Sequence, residues 1–224
     1  MTTPRPPRGF RQDRRVSRSD PNCTDLPPEY SARNIHISDV DFSFKEFELV
    51  DIETCNVFDV KVNGSEWDRC TLSALHVERC DLANLKMANC GVHRCRYLRN
   101  RITGATLVDG YWTDVLLRDC VADMSSWRFT RFQRVAFEKC KLVDTDWTSA
   151  QMKDVTFTDC DLSDAQFSQC SMERVHFSGC TLDRLKGLPS LSGASMDPTD
   201  ALSLTYQLAA AMGISVREMR ADSC

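Results

Sequence analysis

Apolar residues recur at every fifth position through most of this 224-residue chain. The series runs without a change of register from Ile37 to Leu182, and all four tryptophans belong to it. Its members are Ile37, Phe42, Phe47, Ile52, Val57, Val62, Trp67, Leu72, Val77, Leu82, Met87, Val92, Tyr97, Ile102, Leu107, Trp112, Leu117, Ala122, Trp127, Phe132, Phe137, Leu142, Trp147, Met152, Phe157, Leu162, Phe167, Met172, Phe177 and Leu182. A period of five fits neither a helix nor a flat strand, so one side chain in five must turn inward as the backbone bends regularly. The pattern predicts a repeat architecture coiled around one core.

The residue two places before each of these positions is also mostly small or apolar. Ten of the twelve cysteines occupy such places: Cys55, Cys70, Cys80, Cys90, Cys95, Cys120, Cys140, Cys160, Cys170 and Cys180. Two inward and three outward residues in every five describe one side of a square solenoid. We therefore predict that these cysteines are reduced thiols that pack in the core as small apolar residues.

The stretches Cys80–Asn84 and Cys160–Asp164, which read Cys-Asp-Leu-Ala-Asn and Cys-Asp-Leu-Ser-Asp, resemble the pentapeptide repeat family with its consensus Ala-(Asp/Asn)-Leu-x-x. The resemblance covers about residues 35 to 186. It implies an all-β solenoid, a right-handed quadrilateral β-helix with four pentapeptides in each coil. Cysteine where alanine is usual, and aromatic residues where leucine or phenylalanine is usual, predict a wider core.

The chain divides into three predicted regions. Residues 1–34 are rich in Arg and Pro and predict a disordered tail. Residues 35–186 form the solenoid, and residues 187–224 supply a C-terminal helix and tail. Asp197 and Pro198 suit the start of that helix, and Gly213 suits its end.

The C-terminal helix carries a wide apolar face, part of which must cap the solenoid core. Similar family members form homodimers through such a helix, and the alternative is capping of a monomer. The resemblance therefore implies a homodimer whose interface residues are Leu202, Leu204, Tyr206, Leu208 and Met212.

No cofactor, metal site or catalytic site is predicted. In the motif Cys90-x-x-His93-x-Cys95 the register turns both cysteines inward and the histidine outward, so the three cannot share one metal ion. The remaining histidines are too far apart to form a triad or a cluster, and a glycine-rich phosphate loop is absent. Without a signal segment or an apolar membrane-spanning run, the cysteine-rich chain is predicted to be cytoplasmic.

Charge is unevenly distributed along the repeat although the net charge is only −4. Residues 39–81, 86–141 and 144–186 carry net charges of −7, +6 and −4. Positions twenty apart should lie above one another, so opposite charges such as those of Asp114 and Arg134 should form ladders across coils.

Two acidic groups break this alternation and are the predicted partner-binding residues. One comprises Glu46, Glu48, Glu66 and Asp68, with Arg69 close by. The other comprises Asp123, Asp144, Asp164 and Asp183 near the C-terminal end. Ordinary solvated repeat surface is the alternative for either group.

Two functional hypotheses follow. The resemblance implies a non-enzymatic, DNA-mimicking modulator of DNA gyrase or another topoisomerase, of the type connected with fluoroquinolone resistance. The alternative is a scaffold or adaptor that presents apolar strips, Leu98, Leu116 and Ala136 or Val108 and Phe129, to a protein partner. Direct nucleic-acid binding is not expected, because the seven candidate arginines should be spread over several sides. They are Arg94, Arg96, Arg99, Arg101, Arg128, Arg131 and Arg134.

Overall fold

The computed structural model describes residues 31–215, which form a four-sided parallel β-solenoid closed by a short helical region. Strands of the solenoid pair with the strand twenty residues away, as Ser31 does with Asp51, and the offset falls to nineteen only where Val175 pairs with Ala194 beside the cap. The offset of twenty confirms the predicted all-β solenoid. The first described strand begins at Ser31, four residues before the predicted start of the solenoid at residue 35, and buries Ala32. The rest of the predicted N-terminal tail, residues 1–30, lies outside the described residues, as does 216–224.

We number the four sides of the solenoid in chain order. In the first coil, the first side is residues 31–35, the second is 36–40, the third is 41–45 and the fourth is 46–50. Each side recurs twenty residues later in the next coil. The first side contains β1 (Ser31–Arg33), β4 (Asp51–Glu53), β7 (Thr71–Ser73) and β10 (Gly91–His93). The second side contains β2 (His36–Ser38), β5 (Asn56–Phe58), β8 (His76–Glu78) and β11 (Arg96–Leu98). The fourth side contains β3 (Glu46–Glu48), β6 (Glu66–Asp68), β9 (Lys86–Ala88) and β12 (Thr106–Val108).

From the fifth coil onward, the first and second sides merge into single longer strands. These are β13 (Tyr111–Arg118), β14 (Arg131–Glu138), β15 (Gln151–Thr158) and β16 (Ser171–Ser178). The third side has no such strands and is held by isolated bridges, from Asp41 with Lys61 to Asp161 with Thr181. Throughout the five-residue apolar series, each of the four sides turns one residue of the series toward the axis in each coil.

The residue two places after each central position turns the corner in the left-handed backbone region. Asn34, Asp39 and Leu49 are examples, with φ between 55° and 57°. This conformation is costly for residues other than glycine. It places the amide where it donates to the next coil, as Asn34 does to the Glu53 carbonyl at 3.1 Å. The corner hydrogen bonds offset the local strain at each turn.

Aromatic rings fill the core of the C-terminal half. Phe137, Phe157 and Phe177 stack in one column, with ring centroids 4.9 and 5.1 Å apart and planes within 8°. Trp127, Trp147 and Phe167 form a second column at 5.3 and 5.9 Å. The two columns meet edge to face, an arrangement that aromatic quadrupoles favour.

The N-terminal half is built from smaller residues and contains a cavity of about 720 Å³. Valine and isoleucine occupy the column that phenylalanine fills farther along, namely Ile37, Val57 and Val77. Tyr97 and Trp112 line its deepest described part, with ring centroids 5.7 Å apart. Residue volume therefore changes along the rod although the five-residue pattern does not.

Four short elements close the C-terminal end: the 3₁₀ helix η1 (Leu188–Leu191), strand β17 (Ala194–Met196), and helices α1 (Pro198–Ser203) and α2 (Thr205–Ala211). The predicted single helix is divided at Leu204, which turns into the end of the core and is fully buried. Gly213, with φ of 74°, follows α2 as predicted. The Asp200 carboxylate accepts the Cys180 amide at 3.2 Å and so satisfies a donor that has no further coil to meet.

Asp197 precedes α1 as expected, but its carboxylate does not cap the helix. Instead it accepts the Ser178 hydroxyl at 2.6 Å and thereby ties the helical region to the last long strand. None of the described helices is long and apolar enough to cross a bilayer.

Candidate interaction surfaces

Five aspartates lie on the third side of the last four coils, a surface that we call the acidic face: Asp123, Asp144, Asp161, Asp164 and Asp183. Four of them were predicted. Asp161 was missed, although it occupies the first position of the same side and the register alone would have identified it. The third side of these coils carries only two bases, Lys141 and Arg184, so the acidic face is net negative.

Ion pairs neutralise part of the acidic face. Arg184 donates two hydrogen bonds to Asp164 at 2.8 and 2.6 Å, and this hydrogen bonding lowers the pKa of that carboxyl. Lys141 lies 3.2 Å from Asp123, whereas Lys186 approaches Asp144 only to 3.9 Å. Asp161 and Asp183 form no ion pair with residues 31–215.

Asp144 is the most exposed of the paired aspartates, with 62% of its side chain accessible. The Asp161 carboxylate accepts hydrogen bonds from the Ser163 amide and hydroxyl at 3.1 and 2.7 Å, which stabilise the local turn. Asp144, Asp161 and Asp183 are therefore the aspartates of the acidic face whose charge the neighbouring bases neutralise least.

The predicted N-terminal acidic group is assembled as expected, with Glu46 beside Glu66 and Glu48 beside Asp68. Lys86 pairs with Glu66 at 2.7 Å. Arg69 pairs with Glu48 and lies 2.9 Å from Asp68. These two bases offset half of the charge of the four acids, which makes this group a weaker candidate than the acidic face.

The predicted charge ladders are present along the first side. Arg134 holds Asp114 at 2.6 and 2.8 Å, and Arg174 holds Asp154 at 2.5 and 2.9 Å. The seven candidate arginines for nucleic-acid binding lie on all four sides rather than on one. Within residues 31–215 these arginines therefore do not form one continuous basic stripe.

An apolar patch interrupts the surface at the fifth coil. Val121 and Met124 are 41% and 61% exposed on the third side, and Phe129 is 49% exposed on the fourth. Phe129 belonged to a predicted strip, but Val121 and Met124 were missed because their outward positions are usually polar. Val108, Leu98, Leu116 and Ala136, which completed the predicted strips, are only partly exposed.

The helical end presents a second apolar surface. Leu202, Tyr206, Leu208 and Met212 are between 40% and 76% exposed, as a dimer interface requires. Leu204 was also assigned to that interface, but its complete burial in the cap removes it from contact with any second copy.

The cysteines and His93 are oriented as predicted. Cys90 and Cys95 are buried, and burial raises the pKa of the Cys95 thiol to about 12. His93 lies on the outer surface, 5.8 Å from the Tyr111 ring centroid. Within residues 31–215, no group of three or more metal-binding side chains converges.

A Ser-His-Asp contact occurs at the end of the second side, contrary to the expectation that no such grouping forms. Ser195 Oγ lies 3.0 Å from His176 Nδ1, and Asp197 Oδ1 lies 3.6 Å from His176 Nε2. The Ser195 hydroxyl also contacts the Val175 carbonyl at 3.2 Å, and β17 pairs along β16. This contact docks the cap onto the solenoid.

A family model described as a pentapeptide repeat region matches residues 130–187. These residues form the last coils of the solenoid, and the same register and coil pairing extend back to Ser31. Residues 130–187 are therefore a pentapeptide repeat region, and the rest of the solenoid continues its register. No curated protein sequence matches the chain.

Among solved structures, the chain is similar to a trypsin-treated variant of QnrB1, described as a plasmid-mediated fluoroquinolone resistance protein. The identity is 17% over 85% of this chain and 93% of that chain, with a TM-score of 0.38. It is also similar to HetL from the cyanobacterium Nostoc sp., described as a pentapeptide repeat protein involved in heterocyst differentiation regulation. That identity is 12% over 75% of this chain and 87% of that chain, with a TM-score of 0.29.

Proposed function

We propose that this chain is a non-enzymatic binding protein whose acidic face engages the basic DNA-binding surface of DNA gyrase or a related topoisomerase. The observation that carries the proposal is the alignment of five aspartates on one side of consecutive coils. In this role the rod would take the place of duplex DNA, modulate the enzyme and contribute to fluoroquinolone tolerance in the cytoplasm.

The charge density of the acidic face limits how much duplex one rod can replace. Four coils at about 4.8 Å each span roughly 19 Å, and duplex DNA of that length carries about eleven charges. Five aspartates opposed by two bases supply less than half of that number. A second copy would extend the acidic surface, so the proposal includes a homodimer.

We propose that the dimer forms through the exposed apolar residues of the helical end, Leu202, Tyr206, Leu208 and Met212. End-to-end association would bring the two acidic faces toward the centre of one longer rod, because both lie in the coils next to the cap. It would also remove the exposed apolar side chains from water.

The test is gyrase supercoiling with purified full-length protein. We expect inhibition at low micromolar concentration, and we expect the double variant Asp144→Lys/Asp164→Lys to abolish it by reversing charge at the centre of the acidic face. The matched control is Asp114→Lys/Asp154→Lys, since these aspartates occupy the same corner position on the first side, with similar φ angles. No inhibition by the folded parent, or equal loss in both variants, would contradict the proposal.

The adaptor hypothesis is the second candidate, and the exposed patch of Val121, Met124 and Phe129 favours it. In that case Met124→Asp/Phe129→Asp would abolish capture of a cellular partner, whereas Asp144→Lys/Asp164→Lys would leave capture intact. The two pairs of substitutions therefore separate a charge-driven contact from an apolar one.

A further inference from the structure

The cavity of about 720 Å³ runs along the solenoid axis through the N-terminal half. All four sides line it in the second coil, through Ile52, Val57, Val62 and Trp67, and the next coil does the same. The first coil forms one end, and Trp112 in the fifth coil lies at the other. At about 4.8 Å per coil the cavity is roughly 19 Å deep. It is long and narrow, and the walls between its two ends are largely apolar.

Polar lining groups are confined to its two ends. His36, Ser38 and Asp39 lie in the first coil, where the cavity reaches the end of the described solenoid. Between them and the fourth coil the lining residues are apolar apart from the Cys80 thiol.

Tyr97 provides the polar group at the deep end. Its side chain occupies the central inward position in line with Ile37, Val57 and Val77, and it is only 5% exposed. Its hydroxyl makes no hydrogen bond to any of residues 31–215. A buried hydroxyl normally has a partner, because burying one without a hydrogen bond is costly.

We propose that this cavity binds one elongated, uncharged molecule, an alkyl chain bearing a single hydroxyl or carbonyl group that pairs with the Tyr97 hydroxyl. The apolar walls fit the chain, since a large apolar cavity excludes water and accepts apolar ligands. The cavity volume lies within the range of small-molecule sites.

A polypeptide segment does not match the deep part of this cavity. Each of its residues would bring an amide and a carbonyl between walls that offer no hydrogen-bond partner, and such groups are almost always paired when buried. A charged group at the deep end is disfavoured as well, because no described lining residue of opposite charge lies near Tyr97.

The test uses the full chain after removal of co-purified lipid. Titration with the uncharged fluorophore N-phenylnaphthylamine should show saturable binding, and dodecanol and dodecane should both displace the fluorophore. Tyr97→Phe should weaken dodecanol competition roughly three- to tenfold, the equivalent of one hydrogen bond, and leave dodecane competition unchanged. Equal dodecanol competition by Tyr97→Phe and the parent would overturn the assignment of Tyr97.

Two further variants separate filling of the cavity from loss of stability. Val77→Phe should fill the cavity, abolish fluorophore binding and leave Tm no lower than that of the parent. Val155→Phe makes the same change in the packed half, so it should lower Tm by overpacking but retain binding.

Three results would overturn the proposal: no binding by the parent, parent-like binding by Val77→Phe, or an equal loss of Tm in both valine variants. Binding that appears only after deletion of residues 1–30 would also overturn it, since it would assign the cavity to the chain's own N-terminal segment.

Discussion

Glu78 is a charged residue that the repeat buries on the second side, where outward positions are usually accessible. The residue as a whole is only 9% exposed. Its carboxylate lies 3.0 Å from His76 and 2.8 Å from Arg79, and it also contacts Arg99 in the next coil. Hydrogen bonding from His76 is the main cause that lowers the pKa of Glu78, and Arg99 adds to it. The cluster links two consecutive coils.

Glu78→Gln should therefore reduce the free energy of unfolding at neutral pH by about 1–2 kcal/mol, because the arginines lose a charged acceptor. The folded-state pKa is depressed, so the contribution of Glu78 is present above its unfolded pKa of about 4.3 and is lost as pH falls through the folded value. Denaturant unfolding at neutral pH and near pH 3 should show the difference shrinking at the lower pH. The control is Glu138→Gln, at the same position of the side but paired with Arg118 alone. A pH-independent difference would contradict this account.

The strands are similar along the rod, but the two halves of the core differ in how they are stabilised. In the C-terminal half two columns of rings stack continuously from coil to coil, one from Phe137 to Phe177 and the other from Trp127 to Phe167. Buried tryptophans there also have a local partner: the indole N–H groups of Trp127 and Trp147 donate to Ser125 and Thr145 at 2.7 and 2.9 Å. The hollow N-terminal half lacks such continuous ring contacts.

Phe157→Ala should lower the free energy of unfolding by about 3–5 kcal/mol, since Phe157 is fully buried between two stacked rings and its removal leaves a cavity. Phe44→Ala is the matched control, because Phe44 is 77% exposed, and it should change stability by no more than about 0.5 kcal/mol. Chemical denaturation monitored by circular dichroism measures both. Similar losses from the two variants would contradict the assigned register.

The five-residue pattern was sufficient to predict the solenoid, the burial of the cysteines in its core and the ion pair between Asp114 and Arg134 in adjacent coils. It could not predict that Leu204 is buried, because a helical stripe shows which residues share a face but not where the helix breaks. It could not predict the cavity either, since Val77 and Phe157 satisfy the same pattern while differing in volume. The sequence places Arg69 near the N-terminal acidic group, but its pairing with Glu48 depends on the conformation of the arginine side chain, which the repeat pattern does not determine.

At the scale of the whole rod, the helical cap leaves apolar side chains exposed at the C-terminal end of the solenoid. If the proposed dimer forms there, sedimentation equilibrium should give twice the chain mass for the parent, and Tyr206→Glu/Met212→Glu should give the monomer mass. Both side chains are exposed, at 68% and 76%, so the variant should fold normally. Phe129→Glu, on the side of the rod, should remain dimeric. A monomeric parent would leave the cap as a simple end closure.

The pairing of every coil with the one twenty residues away has a consequence for how such a molecule changes size. Adding or removing one complete coil would alter the length by about 4.8 Å and leave the contacts within all other coils as they are. A change of any other number of residues would rotate or break the register. The distance between the acidic face and either end of the rod can therefore vary only in fixed increments, which makes the solenoid a molecular ruler.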